Sequence, residues 1–242
     1  MILLHAGNAS EWTGPTGNNT WHYPSRPSVL IDAGVGGEEH LDALVKALAG
    51  APLDVVLLTH GHVDHVSGVP ALRARWPRLE VRGDRGRPLS DGELIVAGGT
   101  TLEAVHTPGH APDHYCFLDR RTRDVYCGDL ARTGGTVVIP AGRGGDLRAY
   151  LESLRRIRAL APARLLPAHG PIVTEPRKLL DAYILHRGIR TEQIRLALDD
   201  GVTSVDAIVA RLYPGLSERL LDAARDTVRA HLEFMQAEGR EG

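Results

Sequence analysis

Apolar positions along this chain fall into two patterns, short continuous runs and helical stripes. Ile2-Leu3-Leu4 predicts a strand, and Val29-Leu30-Ile31, closing on Asp32, predicts a buried one. Between them, Gly14-Pro15-Thr16-Gly17-Asn18-Asn19 reads as a loop by composition. Leu41, Leu44, Val45 and Leu48 recur at helical spacing over 38–48. The run from Asp54 to Thr59 is almost wholly apolar, the mark of a strand covered on both faces. A short helix over 70–76 follows, then strands over 79–81, 94–96, 101–105 and 115–118. The last of these passes through a charged turn, 119–124, into Val125-Tyr126-Cys127, which predicts a hairpin. An amphipathic helix over 147–160 and a strand over 163–166 close this part.

After Pro176 the pattern is helical throughout. Leu179, Leu180, Ile184, Ile189, Ile194 and Leu198 form a rough stripe over 178–200, and Gly201 stands where a helix C-cap is expected. Thr203 or Ser204 caps a second helix reaching Leu212. Pro214-Gly215 interrupts, and a third helix runs from Ser217 to about Glu238. The chain therefore divides into a mixed α/β part, 1–175, and a three-helix part, 176–242.

Composition narrows the class without naming it. The chain has 242 residues, 43% hydrophobic and 24% charged, which suits a folded domain with an appendage. A net charge of −2 gives no overall basic field for nucleic acid. No apolar run approaches a membrane span, and the N-terminus lacks the pattern of a secretory signal, so a cytoplasmic protein with no membrane partner is expected. Two cysteines, Cys116 and Cys127, make no disulfide framework; they would face each other across the hairpin as reduced, buried residues. The twelve histidines are more informative.

His60-Gly61-His62-Val63-Asp64-His65 directly follows an apolar strand. Three imidazoles and a carboxylate within six residues suit zinc and related divalent ions; a merely solvated loop would impose no such spacing. His110, Asp129 and His169 each stand just past a strand end, beside glycine or proline. Together they make one set of His60, His62 and His110, a second of Asp64, His65 and His169, and Asp129 between them. His5, His22, His40, His106, His186 and His231 carry no such spacing.

Taken in order, the H-x-H-x-D-H cluster, a later His, a later Asp and a final His resemble the metallo-β-lactamase superfamily over about residues 1–175. The resemblance implies an αββα sandwich with two zinc ions at one edge of the sheets, manganese or iron being other metals that such donors accept. It implies that the metals share a bridging hydroxide, with Asp64 both ligating and orienting it as a catalytic residue. Asp32 resembles the aspartate that relatives place behind the ligands, where it would orient an imidazole. His114, four residues past His110, stands where related hydrolases often carry a histidine, either against substrate or behind the metals. Thr136 and Tyr150 flank the segment after Asp129 and are candidates for substrate contact. A bridging aspartate without a cysteine ligand favours the thioester, phosphodiester and lactone hydrolases over β-lactamases.

The tail, from Tyr183 to about Leu232, is similar to that of a branch with a small winged-helix-like C-terminal domain, which includes an endoribonuclease and polyketide thioesterases. Single-stranded RNA cleavage is the first expectation from that similarity, and thioester or lactone hydrolysis the alternative. A non-hydrolytic metal-binding or redox protein is the reading from another class. Charge speaks against a duplex-binding module: residues 175–242 hold 10 Lys and Arg against 12 Asp and Glu. Six arginines between 141 and 164 could form a phosphate-attracting rim or a solvated helix face. An apolar face over 219–235 could support a homodimer or dock on the main domain.

Overall fold

The structure is a computed structural model and describes residues 1–241. Its strands form two five-stranded sheets. The first holds β1 (Ile2–His5), β2 (Asn19–Tyr23), β3 (Val29–Ile31), β4 (Val55–Leu57) and β5 (Glu80–Arg82) in sequence order. The second runs β10 (Arg164–Pro167), β9 (Asp124–Gly128), β8 (Tyr115–Asp119), β7 (Thr100–His106) and β6 (Leu94–Ala97). Helix α1 (Glu38–Leu48) joins β3 to the parallel β4. The short helices α2 (Val63–Val66) and α3 (Val69–Arg75) join β4 to the parallel β5, and α4 (Leu147–Ala159) joins β9 to the parallel β10.

Side-chain alternation along the strands builds the layers. Val29 and Ile31 point inward with Trp21, Tyr23 and Leu57, meeting Ala104, Phe117, Tyr126 and Leu166 of the other sheet in the central core. Leu30 and Val56 point outward and pack under Leu41, Leu44 and Leu48 of α1. On the far side Cys116, Leu118, Val125 and Leu165 pack under Tyr150, Leu154 and Ile157 of α4. The result is the αββα order of layers. Cys116 and Cys127 are buried free thiols across the β8–β9 hairpin, with Cys116 Sγ 3.8 Å from the Cys127 carbonyl.

Strand β2 is the element that the sequence pattern conceals. Asn19-Thr20-Trp21-His22-Tyr23 has no apolar alternation, yet all five residues are buried. It pairs on both sides, with β1 and β3, so its polar side chains are enclosed by sheet neighbours.

Beyond β10 there are three helices, α5 (Pro176–Asp199), α6 (Val205–Leu212) and α7 (Glu218–Glu241). Ser204 caps α6, accepting from the Ala207 amide. Helix α5 belongs to two cores. Leu180 and Tyr183 pack with α4 on the second sheet, whereas Ile194 and Ala197 pack with Ile208, Val209, Ala224 and Val228. The apolar face of α7 is covered within the chain by these contacts and by Ala230 against the α4 core. Among the described residues no helix is long and apolar enough to cross a membrane.

Candidate metal centre

The strand ends explain why the chemistry converges. β3, β4, β7, β9 and β10 all finish at the same edge of the sandwich, and Asp32, the 60–65 cluster, His110, Asp129 and His169 each follow one of them. One side chain and one backbone amide stitch the sheets together there. The Asn19 amide donates to the carbonyls of Pro167 (3.0 Å) and Gly170 (2.8 Å), fixing the turn that carries His169. The Tyr115 amide donates to the Thr59 carbonyl at 2.7 Å, beside His60.

His60, His62, His110 and Asp129 bring ligand atoms together in one group, and Asp64, His65 and His169 in another, each within 4.8 Å. Asp129 joins them. Its Oδ2 lies 3.5 Å from His110 Nε2 and 3.7 Å from His65 Nε2, and its Oδ1 lies 3.2 Å from His169 Nε2. Asp64 Oδ2 is 3.4 Å from both His65 Nε2 and His169 Nε2.

Neighbouring groups set the tautomers. Thr59 Oγ1 donates to Asp32 and so is left to accept from His60 Nδ1 (3.0 Å). His65 Nδ1 donates to Asp32 Oδ2 at 2.9 Å, and His110 Nδ1 to the Val138 carbonyl at 2.8 Å. Each lock leaves Nε2 free and aimed into the cluster. His62 presents Nδ1, 2.9 Å from both His60 Nε2 and His110 Nε2. Three ring nitrogens facing one another cannot all be satisfied by shared protons. His65 Nε2 and Asp129 Oδ1 are buried and make no hydrogen bond. Such orphaned buried atoms in an N/O donor set fit bound metal ions.

Electrostatics divides the centre. Burial holds His60 well below its ordinary pKa, helped by the positive fields of His65 and His110. Burial and His110 bring His62 down to about 4, and burial lowers His110 too. The other half behaves oppositely. Burial alone would depress His65, but Asp32 and Asp129 outweigh it and raise it well above its usual value. Burial likewise opposes His169, which the Asp129 and Asp64 carboxylates bring up to about 9. Asp64 is held at about 2: burial would raise it, and His169, His65 and Asn18 prevail.

Asp32 occupies a left-handed backbone conformation, φ 62°, and is buried. Its carboxylate accepts from the Thr59 amide and hydroxyl and from His65, so it orients one imidazole directly and another through Thr59. His114 is fully buried. Its Nε2 accepts from the Asp129 amide at 3.1 Å, which leaves Nδ1 to donate to Thr107 Oγ1 at 2.8 Å. It holds the Asp129 backbone and does not line the cleft over the metal residues. Tyr150 is fully buried too, its hydroxyl on the Leu130 carbonyl and its ring in the packing of α4, and it does not line the cleft. Thr136 lines the cleft over the metal residues.

That cleft encloses about 570 Å³. Trp12, Val63, Val137, Pro140 and Ala223 supply apolar wall; Arg132, Arg143 and Arg219 supply positive charge. Ala223 and Arg219 come from α7, so the C-terminal helices form part of the wall. Sequence reasoning also missed Asn18, whose Nδ2 donates to Asp64 Oδ2 at 3.0 Å and whose Oδ1 is held by Asn8. It lies in a stretch that composition marks only as loop.

The sequence profile of the metallo-beta-lactamase superfamily matches residues 13–82 and 77–169. The chain belongs to this superfamily. A beta-lactamase associated winged helix domain matches residues 204–240, where the structure has α6 and α7 and, among the described residues, no strand. A Lactamase-like protein of Penicillium aethiopicum, vrtG, is 37% identical over 75% of this chain and 61% of its own length. An Atrochrysone carboxyl ACP thioesterase of Aspergillus chevalieri is 34% identical over 82% of this chain and 65% of its own. The chain thus spans somewhat under two thirds of these superfamily relatives. The fold is shared with the metallo-beta-lactamase family protein TTHA1429 of Thermus thermophilus, at TM-score 0.82 and 20% identity over 98% of this chain and 93% of that one.

Proposed function

We propose that this superfamily member is a metal-dependent hydrolase that cleaves thioesters. The observation that carries the reading is Asp129, whose two carboxylate oxygens stand between a three-histidine group and an Asp-His-His group. His60, His62 and His110 would hold one ion, Asp64, His65 and His169 the other, and Asp129 both; zinc, manganese and iron all suit these donors, with zinc our assignment. Ions bound there supply Lewis acidity and a water of lowered pKa.

The protein's own groups do the rest. The hydrogen bonds at Nδ1 of His60, His65 and His110 leave Nε2 as the nitrogen aimed inward to ligate, and His65 gives up its Nε2 proton to do so. Asp64, ionised at neutral pH and held by Asn18, accepts a hydrogen bond from the attacking water and orients it. The apolar wall receives an acyl group and excludes bulk water.

Leaving-group chemistry separates the substrate classes. A thiolate, with an ordinary pKa of about 8.5, departs without a proton, whereas the alkoxide of RNA or of a lactone calls for a general acid. His114, the histidine nearest to that role in sequence, is committed to Asp129 and Thr107. Four of the six arginines between 141 and 164 are paired as well. Arg143 pairs with Asp226, Arg156 with Asp91, Arg158 with Asp181 and Arg164 with Asp124, so carboxylates offset much of the positive charge of this stretch. The thioesterase name of the Aspergillus chevalieri relative points the same way, and neither relative described above is named as a nuclease.

The test is thiol release from acyl-pantetheine and acyl-coenzyme A by zinc-loaded protein, with single-stranded RNA assayed in parallel. Thiol release by the wild type that is lost in Asp64→Asn supports the reading. RNA cleavage without thioester turnover would sink it.

A further inference from the structure

Residues 130–138, between Asp129 and the cleft wall, form no helix or strand. Their backbone groups must find partners elsewhere, because buried N–H and C=O groups are rarely left unpaired. Three side chains from outside the metal centre supply them. The Tyr150 hydroxyl on α4 donates to the Leu130 carbonyl at 2.6 Å. The Tyr183 hydroxyl on α5 accepts from the Arg132 amide at 3.1 Å and faces the carbonyls of Arg132 (2.8 Å) and Gly135 (3.0 Å). One turn on, Arg187 donates to the Val137 carbonyl.

Arg187 is the unusual member. It is 1% exposed, its Nε makes no hydrogen bond, and among the described residues no carboxylate pairs with it. Its guanidinium lies over the Tyr150 ring, 5.4 Å from the centroid. A buried cation without a counter-ion is a cost that packing alone does not call for; an aliphatic side chain would fill the volume more favourably. What Arg187 holds is one residue from what matters at the centre. The next carbonyl, of Val138, is the acceptor that fixes His110 Nδ1.

We propose that Arg187 is a positioning residue for the metal centre: with Tyr183 it clamps the 130–138 segment to α5, so that the Val138 carbonyl holds His110 in its ligating orientation. The C-terminal helices thereby set the affinity of the His60/His62/His110 half from beneath, in addition to walling the cleft through α7. The inference rests on the reading of His110 as a metal donor.

Zinc affinity is measured by chelator competition on full-length wild type, Arg187→Met, Arg187→Lys, Tyr183→Phe and, as a packing control, Leu180→Ala. Leu180 is fully buried on the same helix and takes no part in the clamp. Removing the partner of a metal-ligand's partner is expected to weaken one zinc about tenfold, the low end of the effect of losing a direct outer contact. Arg187→Met shows this loss with a melting temperature equal to or above that of the wild type. Arg187→Lys, which still donates, recovers most of the affinity. Leu180→Ala lowers the melting temperature and keeps both affinities. Hydrogen exchange quickens in 131–138 of Arg187→Met while β9 stays protected. If Arg187→Met fails to fold, Tyr183→Phe, which deletes one oxygen, carries the same expectations. Unchanged zinc affinity in a folded Arg187→Met or Tyr183→Phe protein overturns the clamp alone. A wild type that binds no zinc at the three-histidine half overturns the metal centre, and the clamp with it.

Discussion

Raising the pH from about 7 to about 9 during a zinc titration perturbs only half of the metal centre. A proton must leave an imidazole before the nitrogen can ligate, so a raised pKa becomes a competition. His169, brought up to about 9 by Asp129 and Asp64, is protonated at neutral pH in the protein alone. Displacing that proton at pH 7 weakens binding about a hundredfold, on the order of 2.7 kcal/mol. His65 is raised too, by Asp32 and Asp129 against its burial, and gives up a second proton. The sign follows: affinity at the Asp64/His65/His169 half is weakest at low pH, rises about one to two decades per pH unit, and levels off above the imidazole pKa values. His60, His62 and His110 are all lowered, His62 to about 4, and are neutral throughout this range. Their half should show almost no pH slope.

The assay is calorimetric titration with zinc in two buffers of different ionisation enthalpy, which counts protons released, together with chelator competition at several pH values. Asp32→Asn sharpens it. Among the carboxylates, Asp32 exerts the largest upward pull on His65, so its loss lowers the slope at the second half toward one proton. Because Asp32 also orients His65, affinity at high pH falls about 10- to 100-fold, and slope and plateau are read separately. Two zinc ions binding with the same pH slope, or no proton release at pH 7, would refute the electrostatic division of the site.

Three further outcomes are expected. His114→Gln should weaken zinc binding about 10- to 100-fold through Asp129 while leaving the shape of the pH–rate profile unchanged, whereas loss of one limb of that profile would restore His114 as a proton-transfer group. Gly128→Ala should destabilise by about 2 kcal/mol or more, measured by denaturant unfolding, because φ is 48° and a Cβ would stand 2.7 Å from His114 Nε2 and 2.9 Å from Thr59 Cβ. Asn18→Ala should lower kcat for thioester hydrolysis with little change in KM, since it frees Asp64 without touching the cleft wall; a pure KM effect would count against the role given to Asp64.

Much of the metal centre is legible because its residues are local punctuation. His60, His62, Asp64, His65, His110, Asp129 and His169 each sit within a few residues of an apolar strand's end, where a turn must follow and polar side chains can gather. The layer order follows only from the family resemblance that these residues carry, since β1–β3 and β5–β9 succeed one another with no helix between them and no local pattern assigns strands to sheets. Strand β2 conceals itself in the sequence, because its five buried residues include Asn19 and Thr20, whose side chains find partners on β10, β1 and α1, and His22, which is enclosed without a hydrogen bond. No local period can announce a polar strand that is enclosed only after the sheet forms.

The residues that escape the sequence are those that act by positioning another residue. Thr59 reads as the last position of an apolar strand, yet its hydroxyl joins Asp32 to His60. Arg187 reads as one charge on a long helix, and becomes exceptional only because α5 lies against the segment after Asp129. His114 shows the converse: its motif position suggests chemistry, and its environment gives it to the Asp129 amide instead. A ligand set can be recognised from residue type and spacing, since the metal demands both. Orientation of those ligands is decided in part by acceptors such as the Val138 carbonyl and the Thr59 hydroxyl, whose identity as residues carries no such demand. Variants at Thr59, Asn18 and Arg187 should therefore alter metal affinity as strongly as their contacts suggest, although nothing in their local sequence marks them.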